Sequence, residues 1–552
     1  MEKIWLKSWE ASLPREIHYE FGRVPLHEYL RKRSRETPGK AAIIFYGREI
    51  SYRELDEASD RFASYLLAQG FKKGDRVGIF MGNCPQYTIV HFGTQKLGGI
   101  VCPCSPLFKE MELEHELNDA GIEILVAWDL LMPVVNNVLA KTGVKKVVTT
   151  NLNDYLPAAP GIKPPAAAAV PKQPVPGADD FLDAVSKSDT PLPELQIDME
   201  NDIALIQYTG GTTGLPKGAM LSYYAALFKT AVVQQVAEMD QNTVCLVTMP
   251  IFHIAGMVAG MNSSIYAGAT QIQLAVFEAQ AAMEAIDKYR ATYWYSAVPM
   301  NVALMAHPEA SAYNFSSLKL CLTSSFGIAL TEAISRQWQE FTGGGLLIEG
   351  AYGLSETHTA DTYVPRSKVK YGTMGIPTFE TECKIVDLED RSREVPLGES
   401  GELALKNPAV FKGYWNQPEE SARTLIDGWV YTGDVCKFDG DGFLYMLGRV
   451  KEMIKVSGFS VYPEEVELFL NRYPGVAQSA VIGVADQSKG EVVKAFICLK
   501  PGQTVAAQDI IDWARQNMSP YKAPVYIEFR DSLPVLGTGK ILRRALKEEA
   551  AV

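Results

Sequence analysis

Short apolar runs alternate with amphipathic, helix-like stretches along most of this chain. Residues 76–81 form an apolar run after a helical stretch that ends near Gly70, and residues 145–150 form another after a second such stretch. Strands and helices that alternate in this way are typical of folds with buried sheets. The pattern therefore predicts the α/β fold class.

Two segments depart from this alternation. Residues 156–177 are rich in Pro and Ala and carry few charges, which predicts an extended segment on the surface. After Gly448 the pattern changes to a compact α+β unit, with a helix predicted over 462–468 and a strand over 480–484. A domain boundary near Lys451 is therefore predicted, with a large domain of residues 1–450 and a small one of 451–552.

Composition narrows the class of protein. A chain of 552 residues is long enough for two or more domains, and its formal charge of −12 argues against a nucleic acid as the main partner. The first residues carry charges and are not followed by an apolar core, so no cleavable signal is predicted. Pro250 and His253 interrupt the apolar stretch 244–269, which favours a buried strand, turn and helix over a membrane span.

The eight cysteines are dispersed without a paired framework, which predicts free thiols in a reducing cytoplasm. A cytoplasmic location without a transmembrane segment is the resulting expectation. Peripheral contact with a membrane stays open, as does the choice between a monomer and a homodimer.

The segment YTGGTTGLPKG, residues 208–218, has the ingredients of a loop that wraps phosphate. Its glycines allow successive backbone N–H groups to converge on an anion, its threonines add hydroxyl donors, and Lys217 adds a positive charge. A Walker-type loop needs Gly before the lysine and a hydroxyl after it, whereas Pro216 and Gly218 stand there. The segment predicts a phosphate loop of another kind, the alternative being a surface turn rich in Gly and Thr.

Four further motifs follow this loop, and together they resemble the adenylate-forming enzymes. That superfamily comprises acyl- and aryl-CoA synthetases, firefly luciferase and the adenylation domains of peptide synthetases. The five motifs, in the order of the superfamily, are YTGGTTGLPKG (208–218), EGAYGLSE (349–356), GWVYTGD (428–434), GRVKE (448–452) and PVLGTGK (534–540).

The resemblance implies a fold and a reaction. The expected fold is a large N-terminal domain of α/β sheet subdomains plus a β-barrel-like part, with a small mobile α+β C-terminal domain, the lid (451–552), which turns about a hinge near Lys451. The expected reaction joins a carboxylic acid to ATP, giving acyl-AMP and pyrophosphate, and the thiol of coenzyme A (CoA) then displaces AMP. ATP, Mg²⁺ and CoA are the implied cofactors and substrates. Magnesium and lysines would neutralise the negative charges of the carboxylate and the α-phosphate of ATP where the two approach each other.

The resemblance also implies roles for individual residues. The residues implied in catalysis are Lys540, Glu356, Lys217 and His253, and those implied in holding magnesium are Glu356 and Thr209. The residues implied in binding ATP or CoA are Thr209, Gly210, Gly211, Thr212, Thr213, Gly214, Lys217, Gly327, Ala351, Tyr352, Gly353, Ser355, Asp434, Arg449, Lys455, Gly458 and Lys540.

Among them, Tyr352 would face adenine, Asp434 would accept from both ribose hydroxyls, and Arg449 would contact ribose and phosphate. Lys540 would reach the acyl and phosphate oxygens in the first half-reaction only. The loop 455–459, with Gly458 at a narrow passage, would line the pantetheine channel, and His253 would lie beside the acyl pocket.

Each role has a structural alternative. Glu356 could be a solvated residue at a helix start, Tyr352 or His253 a core residue, and Asp434 a turn residue. Arg449 could make a surface ion pair, Gly458 could belong to a β-turn, and Lys540 could be a solvated lysine near the C-terminus.

Three departures from the superfamily pattern stand out. Gly210 stands where Ser is usual, with Gly211 beside it, and this loses a hydroxyl but no N–H group. Ala351 replaces a glycine and adds a methyl beside the expected junction of nucleotide and acyl group. Residues 323–327 match the superfamily poorly, so pocket residues are hard to assign there.

The acid is the open question. Residues 4–9 and 25–30 are similar to the openings of bacterial long-chain fatty-acid CoA ligases, and the pocket candidates carry no fixed charge that would read a polar acid. A medium- or long-chain fatty acid is the first expectation, and an aryl- or other small-acid CoA ligase is the alternative. A luciferase-like or carrier-protein ligase that does not use free CoA is a further alternative. A non-enzymatic acyl or nucleotide sensor is a remote one, because Lys540 and Glu356 are both present.

Overall fold

The larger, N-terminal part of the protein is built around two sheets whose apolar strands are covered by helices on both faces. The computed structural model describes residues 3–209, 216–325, 328–456, 459–486, 489–535 and 540–550. The first fourteen strands form two seven-stranded sheets. In chain order they are β1 Ala41–Phe45, β2 Arg48–Ser51, β3 Arg76–Phe80, β4 Ile100–Cys104, β5 Ile124–Trp128, β6 Lys146–Thr150, β7 Asp179–Asp180, β8 Ile203–Thr209, β9 Lys217–Ser222, β10 Val244–Val247, β11 Thr270–Gln273, β12 Tyr293–Ala297, β13 Leu320–Ser324 and β14 Leu346–Glu349.

Both sheets are parallel except for one edge strand each. One sheet has the order β7-β6-β5-β3-β4-β8-β9 and the other the order β14-β13-β12-β10-β11-β1-β2. Only β9 in the first and β2 in the second pair antiparallel with their neighbours. Parallel strands need helices on both faces, which is why β4 and β13 are buried at every position.

Helices pack on these sheets between the strands. They are α1 Leu26–Glu36, α2 Tyr52–Ala68, α3 Pro85–Lys96, α4 Glu110–Asp119, α5 Met132–Leu139, α6 Phe181–Lys187, α7 Tyr223–Val236, α8 Ile254–Gly256, α9 Ser263–Ala267, α10 Ala279–Tyr289, α11 Val298–Met305 and α12 Glu332–Thr342. A π-helical turn, Met257–Asn262, joins α8 to α9. Ser51 and Glu54 form a capping box at the start of α2, and Ser222 caps α7.

Two smaller antiparallel sheets complete the chain. After the short ribbon of β15 Thr362–Tyr363 and β16 Ile376–Pro377, a five-stranded sheet stands where the β-barrel-like part was expected. It contains β17 Glu382–Val386, β18 Gly401–Lys406, β19 Leu425–Ile426, β20 Trp429–Phe438 and β21 Leu444–Arg449, with α13 Pro418–Thr424 beside it.

The last sheet belongs to the C-terminal part and has hydrophobic clusters of its own. Its elements are β22 Ile454–Val456, β23 Phe459–Val461, α14 Pro463–Leu470, β24 Val476–Asp486, β25 Gly490–Leu499, α15 Ala507–Asn517, β26 Tyr526–Phe529 and α16 Arg543–Ala550. The predicted α/β class, with a large N-terminal part and a small C-terminal one, is confirmed. The boundary near Lys451 stays a prediction, and a short 3-10 helix, Val450–Glu452, lies there.

Other expectations from the sequence can be compared directly with the structure. The apolar stretch 244–269 contains strand β10 followed by the helical segment α8 to α9, as predicted. Residues 156–177 contain a single 3-10 turn, Ala166–Ala169, and otherwise run without helix or strand. All eight cysteines are buried and unpaired. Among the helices of the described ranges, none has both the length and the apolarity needed to cross a bilayer.

Four histidines of the N-terminal part have a lowered pKa; His27, His91 and His358 are buried, and His253 is half-buried. Burial lowers the pKa of His91 to about 3 and that of His358 to about 3, and burial together with the charge of Lys540 lowers the pKa of His253 to about 4. An unfolded histidine titrates near pH 6.5. The unfolded chain therefore binds more protons than the folded one below that pH.

This difference predicts a loss of stability as the pH falls from 6.5 towards 4. Replacing His91 by leucine removes one of these groups, so about 1.5 kcal/mol of the loss between pH 6.5 and pH 5 should disappear. Urea midpoints of the wild type and the variant at the two pH values measure this. His18, which is exposed, offers the matched control, because His18→Gln should keep the wild-type slope.

Candidate active site

The glycine-rich segment closes a hairpin between β8 and β9. The backbone of Thr209, at the end of β8, is paired with that of Lys217, at the start of β9. Tyr208 donates a hydrogen bond of 2.7 Å to Asp119 on α4, so α4 fixes the hairpin at its base. The rest of the predicted phosphate loop lies outside the described residues, and its role stays a prediction: Gly210, Gly211, Thr212, Thr213 and Gly214.

Lys217 is connected to Glu356 through one aromatic residue. Its ammonium group forms an ion pair with Glu420 and lies 5.2 Å from the ring centroid of Tyr414. The hydroxyl of Tyr414 donates a hydrogen bond of 2.6 Å to Glu356 Oε1. Within the described part of the chain, Glu356 Oε2 receives no hydrogen bond. The lysine and the carboxylate that the sequence singled out therefore face one region.

Glu356 is held by a tight turn. It lies in the 3-10 helix Ser355–Thr357, and its carbonyl accepts a hydrogen bond of 2.8 Å from the N–H of Phe411. Gly353 precedes the turn in very close contact with the backbone beyond it, because a Cβ placed there would lie 2.5 Å from the nitrogen of Ala360. A side chain at position 353 would push the turn away.

Tyr352, Asp434 and Arg449 form a second group. The Tyr352 hydroxyl donates a hydrogen bond of 2.5 Å to Asp434 Oδ2. Asp434 on β20 is paired in register with Arg449 on β21, and Arg449 Nε lies 3.1 Å from Asp434 Oδ1. These two atoms are not aligned as a hydrogen bond, and neither has another hydrogen-bond partner among the described residues. The acceptor Asp434 Oδ1 and the donor Arg449 Nε, which lie side by side, can therefore each still form a hydrogen bond with a ligand.

The C-terminal part brings Lys540 to this group. Burial and the neighbouring charge of Arg449 lower the pKa of the Lys540 ammonium, and the carboxylates of Asp434 and Glu452 oppose that decrease. Burial and the nearby charge of Lys540 lower the pKa of His253 to about 4, so His253 is neutral near pH 7. His253 accepts a hydrogen bond of 3.4 Å from the N–H of Ala255 and thereby caps the start of α8.

An apolar cavity of about 30 Å³ lies next to α7 and α8. Its walls come from the valines of α7, from α8 and the π-helical turn, and from the segment after Glu349. The lining residues include Val232, Val233, Val236, Ala255, Ala259, Tyr295, Ala351, Thr359, Ala360 and Thr362. Gly256 allows the backbone of α8 to pass close to Pro250, because a Cβ at position 256 would lie 2.1 Å from the carbonyl oxygen of Pro250.

Glu349 binds Ser325 in the segment 323–327, whose sequence matches the superfamily poorly. Its carboxylate accepts hydrogen bonds from the Ser325 hydroxyl at 2.6 Å and from the Ser325 N–H at 3.2 Å. Burial raises the pKa of Glu349 to about 7, against the effect of these hydrogen bonds. Gly327, two residues further on, lies outside the described residues.

Of the two residues expected to line the pantetheine channel, Lys455 and Gly458, the structure describes only the first. Lys455 is exposed on β22 of the C-terminal part, and its backbone N–H donates to Glu491 at 2.8 Å. Gly458 lies outside the described residues. The CoA channel therefore stays a prediction.

The residues present fit both implied ligands. The unsatisfied atoms of Asp434 and Arg449 offer an acceptor and a donor for a ribose and its phosphate, and Tyr352 lies against them. Glu356 has one carboxylate oxygen without a hydrogen bond among the described residues, an oxygen of the type that magnesium prefers, and it is connected to Lys217 through Tyr414.

Comparison with known proteins supplies the remaining evidence. Residues 30–415 match the family model of the AMP-binding enzymes, and residues 465–540 match the model of the AMP-binding enzyme C-terminal domain. The chain belongs to the AMP-binding enzyme family. A long-chain-fatty-acid–CoA ligase of Bacillus subtilis (strain 168) is 37% identical over 98% of this chain and 98% of its own length.

Other members of the AMP-binding family are similar over the whole length. A long-chain-fatty-acid–CoA ligase of Escherichia coli O6:H1 is 34% identical over 100% of this chain and 99% of its own. Among solved structures, the anthranilate CoA ligase AuaEII in complex with anthranoyl-AMP superposes with a TM-score of 0.85, at 27% identity, over 98% of each chain.

Several residues of the site escaped the sequence analysis. Tyr414 and Glu420 come from the segment around α13, between the second and third motifs, and Glu349 was quoted in a motif without a role. An aromatic or acidic residue in a polar stretch carries no signal of its own. Their contacts became visible only when the sheets brought distant segments together.

Proposed function

We propose that this protein is an AMP-forming acyl-CoA synthetase that activates medium- and long-chain fatty acids. The observation that carries the proposal is that two groups of polar side chains are joined to the segment 350–362, which also lines one apolar cavity. One group is Glu356 with Tyr414 and Lys217, and the other is Asp434 with Arg449 and Lys540. A carboxylic acid leaving the cavity would meet the nucleotide between them.

In the first half-reaction, the protein must bring a carboxylate to the α-phosphate of ATP although both are negatively charged. Lys217 and Lys540 neutralise the phosphate and acyl oxygens, and Asp434 with Arg449 fixes the ribose. Glu356 and Thr209 hold the magnesium ion, which neutralises phosphate charge when bound. His253, which is neutral near pH 7, borders the acyl group without adding a charge.

In the second half-reaction, the acyl-adenylate must meet CoA while Lys540 is no longer needed. The lid (451–552) turns about Lys451 and brings Lys455 and Gly458 to the pantetheine channel. The position of the lid in this structure supports the state that serves the first half-reaction. Glu464 of the lid lies against Gly448, and the charge of Lys540 acts on His253. A small domain on a short hinge is a common way to present two faces to one site.

The acid is assigned from the cavity and the relatives. The residues that line the cavity carry no charged side chain, which suits an aliphatic chain, and two full-length relatives are named as long-chain ligases. About 30 Å³ holds only a water molecule or two, so a long chain enters when α7 and the segment after Glu349 separate. We also propose that the enzyme works in the cytoplasm.

Acid-dependent release of pyrophosphate from MgATP tests the proposal. The acids should run from acetate to palmitate and include benzoate and cinnamate, each with and without CoA. We expect the highest kcat/KM with aliphatic acids of about twelve carbons or more, because each buried CH₂ contributes about 0.8 kcal/mol. CoA should raise turnover and yield the thioester.

Each other outcome has a definite meaning. A maximum with benzoate or cinnamate would keep the mechanism and replace the acid. Pyrophosphate release without a thioester would exclude free CoA as the acceptor. No release with any acid would overturn the proposal.

A further inference from the structure

The turn that follows Glu356 has an unusual backbone. His358, Thr359 and Ala360 have φ angles of 58°, 62° and 49°, so three consecutive residues other than glycine are left-handed. Each such residue costs about 1–2 kcal/mol relative to its ordinary conformation. A strained segment of this kind persists only where its surroundings determine it firmly.

A buried ion pair holds this turn. Lys229 on α7 donates hydrogen bonds to the carbonyl oxygen of Ala360 at 2.9 Å and to Asp361 Oδ1 at 2.7 Å. Asp361 Oδ1 also accepts from Asn407 at 2.8 Å, and its other oxygen accepts from the hydroxyl of Thr357. The pair thus joins both ends of the turn to α7 and to the loop that carries Asn407.

The ring of His358 does not share this task. It is buried, and neither ring nitrogen has a hydrogen-bond partner among the described residues. The charged side chains that hold the turn are therefore Lys229 and Asp361, and the hydroxyl of Thr378 adds a hydrogen bond of 3.2 Å to the carbonyl oxygen of Ala360.

A contribution to stability does not by itself explain why Lys229 and Asp361 form a buried ion pair. Both side chains have 0% exposure, and burial lowers the pKa of Lys229 while it raises that of Asp361. Exchange of a buried ion pair for apolar residues of similar size is often neutral or stabilising. The specific positions of the hydrogen bonds, on the carbonyl of Ala360 and the ends of the turn, indicate a role in geometry.

The turn connects two functional parts of the site. Glu356 stands two residues before it, and Thr359, Ala360 and Thr362 belong to the wall of the acyl cavity. A displacement of the turn would move the carboxylate and the wall together, because Gly353 packs directly on its backbone.

We propose that Lys229 and Asp361 are positioning residues that set Glu356 relative to the wall of the acyl cavity. The inference rests on the proposed function, in which Glu356 binds magnesium and the cavity takes the acyl chain. Loss of the pair weakens the binding of magnesium with ATP and changes the preferred length of the acid. Misplacement of a reacting group by about 1 Å can cost about 10²-fold in rate.

The test uses Lys229→Met, Asp361→Leu and the double variant. We expect each single variant to unfold at lower urea, because it leaves one buried charge unpaired, and the double variant to recover most of that loss. The Mg²⁺ concentration for half-maximal binding of ATP, measured by calorimetry, should rise about tenfold in the double variant as well. The acid-length profile of kcat/KM should broaden in the same variant.

Lys96 provides the matched control. It is also fully buried, and it pairs with Asp56 at 2.5 Å and Asp60 at 2.6 Å, both on α2. Lys96→Met should unfold at lower urea without a change in Mg²⁺ requirement or acid-length profile. A stability loss alone therefore cannot produce the expected result.

A double variant with wild-type Mg²⁺ dependence and a wild-type acid profile would overturn the inference. Binding of MgATP needs no acid, so it decides the inference even in a protein that activates none. A wild type that binds MgATP but releases no pyrophosphate with any acid would refute the proposed function alone.

Discussion

Replacement of Lys540 by alanine is expected to slow acyl-adenylate formation by about 10²–10³-fold, the usual cost of removing one donor from developing charge. Thioester formation from preformed acyl-AMP and CoA should stay within about threefold of the wild type. In this structure the charge of Lys540 acts beside His253, Asp434 and Arg449, and in the proposed mechanism the lid carries Lys540 away from them before CoA reacts. Pyrophosphate release and thioester formation, measured separately, check this prediction.

The neighbouring segment supplies a control for Lys540. Arg544 lies four positions further on in α16, is 58% exposed and pairs with Glu548, so Arg544→Ala removes a positive charge outside the site. Both half-reactions should be unchanged in that variant. Equal losses of both half-reactions in Lys540→Ala would contradict the assignment, because they would mean that the lysine serves the fold or both states of the lid.

The strands and motifs were accessible to sequence analysis for a physical reason. Buried parallel strands need apolar residues on both faces, so β3 (RVGIF) and β6 (KVVTT) contain consecutive apolar residues that mark them as strands even without knowledge of their neighbours. Asp434 and Arg449 stand in short motifs, and both fall on paired strands of one sheet. The glycine-rich loop and the boundary at Lys451 stay predictions.

The positioning contacts could not be read from the sequence. Lys229 and Asp361 are 132 positions apart, and Lys217 and Glu420 are 203 positions apart. Lys229 sits in α7, where residues 223–233 are all buried, so periodicity gives a lysine no exposed face and no partner. Contacts between distant segments follow from the packing of whole sheets, which no local pattern encodes.

Replacement of Glu356 by glutamine is expected to lower kcat for pyrophosphate release by about 10²-fold, since a metal ion that neutralises phosphate contributes several kcal/mol. Glutamine keeps an oxygen that accepts from the Tyr414 hydroxyl, so the turn and the connection to Lys217 should survive. The variant loses only the negative charge that Mg²⁺ requires. Titration of activity with Mg²⁺ should show a higher half-saturation and a reduced maximum.

Glu420 separates this effect from a general loss of negative charge. It pairs with Lys217 and, at 2.8 Å, with Arg423, and in the proposed mechanism it would compete with phosphate for Lys217. Glu420→Gln should therefore leave the Mg²⁺ requirement unchanged and alter KM for ATP by no more than about threefold, as expected for a partly exposed ion pair. If Glu356→Gln and Glu420→Gln shifted the Mg²⁺ requirement equally, magnesium would be responding to the net charge of the region, and Glu356 would not be its ligand.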